Sequence, residues 1–206
     1  MEIRDKIIEK ANDICRMVGF KAMTMDDIAS QLSISKKTIY QYFPDKDSLV
    51  MSVVEKEVIQ SESDCQLTLE MSADAIDEIL IANQFFTEDF KDINPIIFHD
   101  LEKYYRKSYL LFMEHKNGQF YEVVGSNITR GITEGLYRPE VNVEILTRFR
   151  LESVFMAFDQ KVFPSNQYNL IDVYNTLIDH FIYGIVTDKG RVLLNEYKAE
   201  RNKKSN

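Results

Sequence analysis

The residues best suited to chemistry lie between positions 24 and 46. Thr24, Ser35, Lys36, Lys37, Thr38, Tyr40, Gln41, Tyr42 and Lys46 place hydroxyls, cations and an amide in one short stretch. Such groups bond phosphate oxygens and read base edges in a DNA major groove. Residues 28–44 hold Lys36 and Lys37 and no acidic side chain. The net charge of −8 looks unfavourable for DNA, but residues 1–50 carry eight basic and eight acidic side chains. The acidity therefore belongs to residues 51–206, and charges beyond a Debye length of ~10 Å are largely screened. No other chemistry competes. His99, His115 and His180 are scattered, and Cys15 and Cys65 sit in no CxxC or metal-ligand spacing. There is no nucleophile–base set and no phosphate loop. The expectation is a protein without catalytic residues, metal or cofactor, its two thiols packed as small apolar groups.

The elements that hold these residues read as helices. Ile3, Ile7, Ala11, Ile14 and Val18 form one apolar stripe, which Gly19 stops. Thr24 caps a helix over 25–32, Ser35 can cap one over 35–43, and Asp45 caps a longer helix reaching the early 60s. Ile28, Leu32, Ile34, Ile39 and Phe43 can form a miniature core between two crossing helices, with Ala29 at their close approach. Lys46, in the first turn of its helix, lies beside exposed backbone N–H groups that favour an anion. Further on, Ser72 is expected to cap a helix to Phe90 and Asn94-Pro95 to open another. Gly118 breaks the stretch 95–135, Asn142 caps a helix to Phe163, and Asn169 starts one to Thr187. A last helix covers 189–199 and leaves 200–206 as a frayed tail. Asp100, Glu102 and Lys103 read as a solvated helix face. Strand signals are weak, and the longest apolar runs fall far short of the ~20 residues that span a bilayer. Nor do the first residues carry the apolar stretch of a secretory signal. A cytoplasmic protein with no membrane partner is expected.

The spacing of Ile28-Ala29, Ser35, Thr38-Ile39-Tyr40, Tyr42-Phe43, Lys46 and Leu49 resembles the helix-turn-helix signature of the TetR family of transcriptional regulators. Together with the helical spacing along the chain, the motif predicts an all-α chain of about nine helices. A three-helix DNA-binding domain would span 1–46, and an effector-binding and dimerisation domain 47–206. It implies backbone contacts from Thr38, Tyr40 and Lys46, with Lys36, Lys37 and Tyr42 near base edges. The chain departs from the family at Leu32-Ser33, where Ala-Gly is usual. Ser33 must then adopt a turn geometry that glycine prefers.

The acidic remainder holds most of the aromatics, among them Phe85, Phe86, Phe90, Phe98, Phe112, Phe155 and Phe158. These could be plain core or line an apolar cavity for an apolar or aromatic effector; no ligand-binding residue can be named from them. The last two long helices are apolar on more than one face. One carries Leu146, Phe149, Leu151, Phe155 and Met156; the other Leu170, Val173, Leu177, Ile178 and Phe181. Two apolar faces need two partners, so a homodimer through 142–187 is expected. The family resemblance implies a repressor, released from a palindromic double-stranded operator by a small-molecule effector. The competing reading is a helical small-molecule-binding protein or enzyme with a purely structural helix-turn-helix.

Overall fold

The computed structural model describes residues 2–204 and is all-helical there. Its elements are α1 (Ile3–Val18), α2 (Met25–Leu32), α3 (Lys36–Tyr42), α4 (Lys46–Met71), α5 (Ala75–Phe90) and α6 (Ile97–Tyr104). There follow α7 (Arg106–His115), a π-helical turn (Lys116–Phe120), α8 (Tyr121–Thr133), α9 (Val143–Met156), α10 (Leu170–Ile185) and α11 (Asp188–Lys204). Among the described residues the one isolated β contact is an antiparallel bridge between Tyr137 and Val186. No helix there is long and apolar enough to cross a membrane.

The N-terminal helices form as their sequence dictates. The fully buried side chains of Ile7, Ala11, Ile28, Ile39 and Leu49 meet where α1, α2, α3 and α4 cross. α4 then leaves this head and packs against α5 and α7, so one continuous helix serves both regions.

Several boundaries differ from the sequence expectation, each for a physical reason. α4 runs to Met71 rather than the early 60s. The hydroxyls of Ser61 and Thr68 bond back to Val58 and Asp64 carbonyls inside the helix, so these residues do not stop it. α5 is capped by Asp74, which accepts from the Ile76 and Asp77 amides, while Ser72 terminates α4. α9 ends at Met156 rather than Phe163. There Asp159 accepts from the Lys161 amide through its carboxylate and from the Val162 and Phe163 amides through its carbonyl, turning the chain. The tail expected to fray is helical through Lys204, because Tyr197 donates to Asp74 at 2.7 Å and Arg201 pairs with Asp77 at 2.6 Å; positions 205 and 206 of that expected tail lie outside the described residues. The count among the described residues rises from about nine to eleven α-helices, since Tyr105 divides α6 from α7; the break expected at Gly118 is a π turn between α7 and α8.

Candidate nucleic-acid interface

The head is assembled from local bonds. Thr24 accepts from the Asp27 amide at 3.1 Å, and Asp27 accepts in return from the Thr24 amide at 3.0 Å. This reciprocal cap fixes the start of α2. At its end Ser33 takes φ 55° and ψ 38°, the left-handed turn that the Leu32-Ser33 departure implied. The Ile34 amide reaches back to the Ala29 carbonyl at 3.0 Å and closes the turn. Ser35 then accepts from the Thr38 amide at 3.0 Å, with the two hydroxyl oxygens 2.8 Å apart. Ser35 and Thr38 thus spend one bond each on α3 itself.

Ile39 faces inward and is fully buried. The same turn therefore sends Lys36, Lys37, Tyr40, Gln41 and Tyr42 to solvent, with Tyr40 45% and Tyr42 42% exposed. Two large aromatics left in water beside cations is an arrangement suited to a partner surface. Lys36 pairs with Asp26 at 2.8 Å, and that bond raises its pKa. Thr24 is exposed at the rim of the same surface.

Lys46 sits apart from this group. Its ammonium donates to the Lys21 carbonyl at 3.1 Å and lies 5.5 Å from the Tyr105 ring centroid. Burial lowers its pKa, partly opposed by Asp100. The geometry makes it a strut between α4 and the α1–α2 connection.

That connection is where the head meets the rest of the molecule, and sequence reasoning missed it. Asp100, expected on a solvated face, is 3% exposed and accepts from the Lys21 amide at 2.8 Å. Tyr105 is buried, which pushes its hydroxyl pKa up to about 12, and it donates to the Phe20 carbonyl at 3.2 Å. The Asn94 amide donates to the Arg16 carbonyl at 2.6 Å, and Arg16 pairs with Asp89 at 2.9 Å. Gly19 has φ 87°, and a Cβ there would stand 2.6 Å from an Asp100 oxygen. Gly19 had left a signal as a helix stop and Asn94 as a helix opener, neither as a contact between the two regions. Among the described residues no three His, Cys, Asp or Glu side chains gather to hold a metal ion.

A short capped α3 presenting a polar, aromatic face from a buried miniature core is the reading head of a helix-turn-helix DNA-binding protein. Residues 7–53 match the family model for bacterial regulatory proteins, tetR family. The chain is 24% identical over 188 residues to the fatty acid metabolism regulator protein of Bacillus subtilis, covering 87% of this chain and 94% of that one. It is 22% identical over 165 residues to the HTH-type transcriptional repressor KstR2 of Rhodococcus jostii, covering 75% and 77%. Its fold is similar to that of the transcriptional regulator FadR from Bacillus subtilis, solved in complex with stearoyl-CoA. The TM-score there is 0.64 at 16% identity, over 88% of this chain and 98% of that one. Residues 7–53 form a DNA-binding domain of the tetR family, and the chain is a DNA-binding transcriptional regulator. The reading in which the helix-turn-helix is merely structural gives way to it.

Proposed function

We propose that the chain acts as a homodimeric repressor, held on a palindromic operator by paired α3 helices and released when a small molecule binds its C-terminal region. The observation that carries this reading is mechanical. The polar face of α3 is rigidly joined, through Asp100, Tyr105 and one unbroken α4, to a helical body rich in aromatics. Two α3 helices fit successive major grooves only when about 34 Å apart. A ligand that tilts α4 changes that spacing. The head is taken as residues 1–46 and the body as 47–206, a division at the start of α4.

Lys36, Lys37, Tyr40, Gln41 and Tyr42 are assigned to the DNA surface, with Thr24, Ser35 and Thr38 reaching phosphates at its edge. Lys46 would join them by exchanging the Lys21 carbonyl for a phosphate. The dimer is assigned to 142–187. Phe181 is 3% exposed and belongs to the chain's own core, so the partner face is supplied by Ile145, Phe149 and Tyr183, which remain exposed. An apolar or aromatic effector suits the rings clustered in the body. The stearoyl-CoA in the FadR complex carries an apolar acyl chain, on a similar fold.

The test is a gel shift with the DNA upstream of the chain's own gene, at stated salt. A complex far tighter than with unrelated DNA is expected, and Phe149→Glu should yield monomers that lose it. Equal affinity for both DNAs, or a wild type that sediments as a monomer at micromolar concentration, would overturn the reading.

A further inference from the structure

The body contains one buried cation with no counter-charge. Arg150, on α9, is 7% exposed. Its Nη2 donates to the Tyr174 hydroxyl at 3.1 Å, and its Nη1 is enclosed with no hydrogen-bond partner. No carboxylate of the described residues pairs with it. Other shielded cations differ. Lys116 holds Glu152 at 2.7 Å, Arg130 holds Glu78 at 3.0 Å, and Arg16 holds Asp89. A guanidinium cannot shed its proton to escape burial. An isolated buried charge is strongly unfavourable unless something pairs with it.

The surroundings of Arg150 say what could. Its guanidinium carbon lies 5.4 Å from the Tyr174 ring centroid and 5.9 Å from that of Phe181. Tyr174 stacks on Phe86 at 3.7 Å, Phe86 on Phe90 at 4.4 Å, and the row continues through Phe158 to Phe98. Beside Phe86 on α5, Asn83 Oδ1 and Thr87 Oγ1 are also buried without partners. Both line a cleft of ≈ 730 Å³ along the seam of α5, α10 and α11. Unpartnered polar atoms are rare in native proteins. Asn83 and Thr87 share α5 with Phe86 and Phe90, whose aromatic row ends at one unpaired positive charge; the lining of the cleft itself includes neither that row nor Arg150.

We infer that this body binds an apolar monocarboxylate, with its carboxylate on Arg150 and Tyr174 and its tail among Phe86, Phe90 and Phe158. The inference rests on the effector-responsive reading above and names the effector's class. One unpaired charge suits one carboxylate, and the planar fork of a guanidinium matches it. A phosphate dianion would leave a negative charge buried.

The test is affinity of the full chain, by calorimetry and thermal shift, for straight-chain acids from hexanoate to stearate. Each is compared with its alcohol and its coenzyme A thioester. At least one acid should bind about 10- to 100-fold more tightly than its alcohol, the span expected of hydrogen bonds to a charged group. Arg150→Met should erase that preference, keep the affinity for the alcohol and raise the apo melting temperature, because it removes an unpaired buried charge. Arg150→Lys should retain part of the preference. A merely structural arginine would instead lower the melting temperature of Arg150→Met. Equal affinity for every acid and its alcohol would overturn the inference, as would binding confined to the thioesters. Failure here leaves specific operator binding intact. An acid that binds through Arg150 without loosening the operator sinks the release mechanism and leaves the site standing.

Discussion

The head and the body solve opposite problems with the same kind of element. In the head, α2 and α3 begin at a side-chain cap, as does α4 where it leaves. Every buried polar side-chain atom described there has a partner. In the body, α5, α9 and α10 are capped as well, but α6, α7, the π turn and α8 begin with no side-chain cap, as does α1 in the head. All three buried unpartnered atoms, on Asn83, Thr87 and Arg150, belong to it. A fully satisfied set of short helices has one arrangement. A body with unsatisfied groups and adaptable rings has room for a second, and a ligand moves an equilibrium only by binding its two states unequally. This contrast fits the proposed division into a fixed DNA surface and a responsive body.

The largest effect should come from breaking the fixed part. Ile39 is fully buried in the small core of the head. Ile39→Ala should therefore cost about 4 kcal/mol, near the upper end for such truncations, because the miniature core cannot collapse to fill the void. Urea unfolding and amide exchange of α2 and α3 measure it, and specific DNA binding should vanish. A loss under about 1 kcal/mol with binding intact would mean that the head is as adaptable as the body.

A smaller effect is expected where the two regions touch. Gly19→Ala would place a Cβ 2.6 Å from Asp100 Oδ2 and 2.8 Å from Ile96 Cγ2, at φ 87°. Strain of this kind costs about 1–3 kcal/mol. It should be relieved by parting the Lys21 amide from Asp100. Operator affinity should fall only modestly, since α3 is untouched, but the ligand's effect on it should shrink. Reciprocity makes this checkable from either side, by ligand affinity with and without operator. Full coupling in Gly19→Ala would remove this junction from the switch.

The head was legible because its determinants are local. Thr24 with Asp27, Ser35 with Thr38, and Asp45 with Ser48 are each three residues apart, and a capping pair can be read at that distance. The exposed set on α3 follows once Ile39 is turned inward. The body was legible only as apolar helices. Asp100 looks like a surface charge because the amide it serves, Lys21, is 79 positions away. Arg150 sits between Phe149 and Leu151 and reads as the polar side of a helix, yet α10 closes over it. Tyr105 ends α6 for the sake of Phe20, a contact that no helix-stop rule contains. The length of α4 was hidden because Ser61 and Thr68 resemble breakers until their hydroxyls find carbonyls in their own helix.

The smallest effect concerns the one strained residue inside the well-satisfied head. Ser33 holds the left-handed conformation at the turn between α2 and α3. For a residue with a Cβ this costs roughly 1–2 kcal/mol. Glycine would remove that cost, but its greater freedom in the unfolded chain returns roughly 0.5–1 kcal/mol of it. The bonds that close the turn, from the Ser33 and Ile34 amides, are backbone bonds and would survive. Ser33→Gly should therefore stabilise the chain by about 0.5–1 kcal/mol, seen as a higher urea midpoint at unchanged slope. DNA affinity should stay within about twofold, because the α2–α3 angle is set by the Ala29 contact, the buried Ile28 and Ile39 and the half-buried Ile34. If Ser33→Gly stabilised the fold and also weakened operator binding severalfold, the strain would be holding α3 at its reading angle. The head would then share with the body a built-in reserve of conformation, and the contrast between the two would narrow to one of degree.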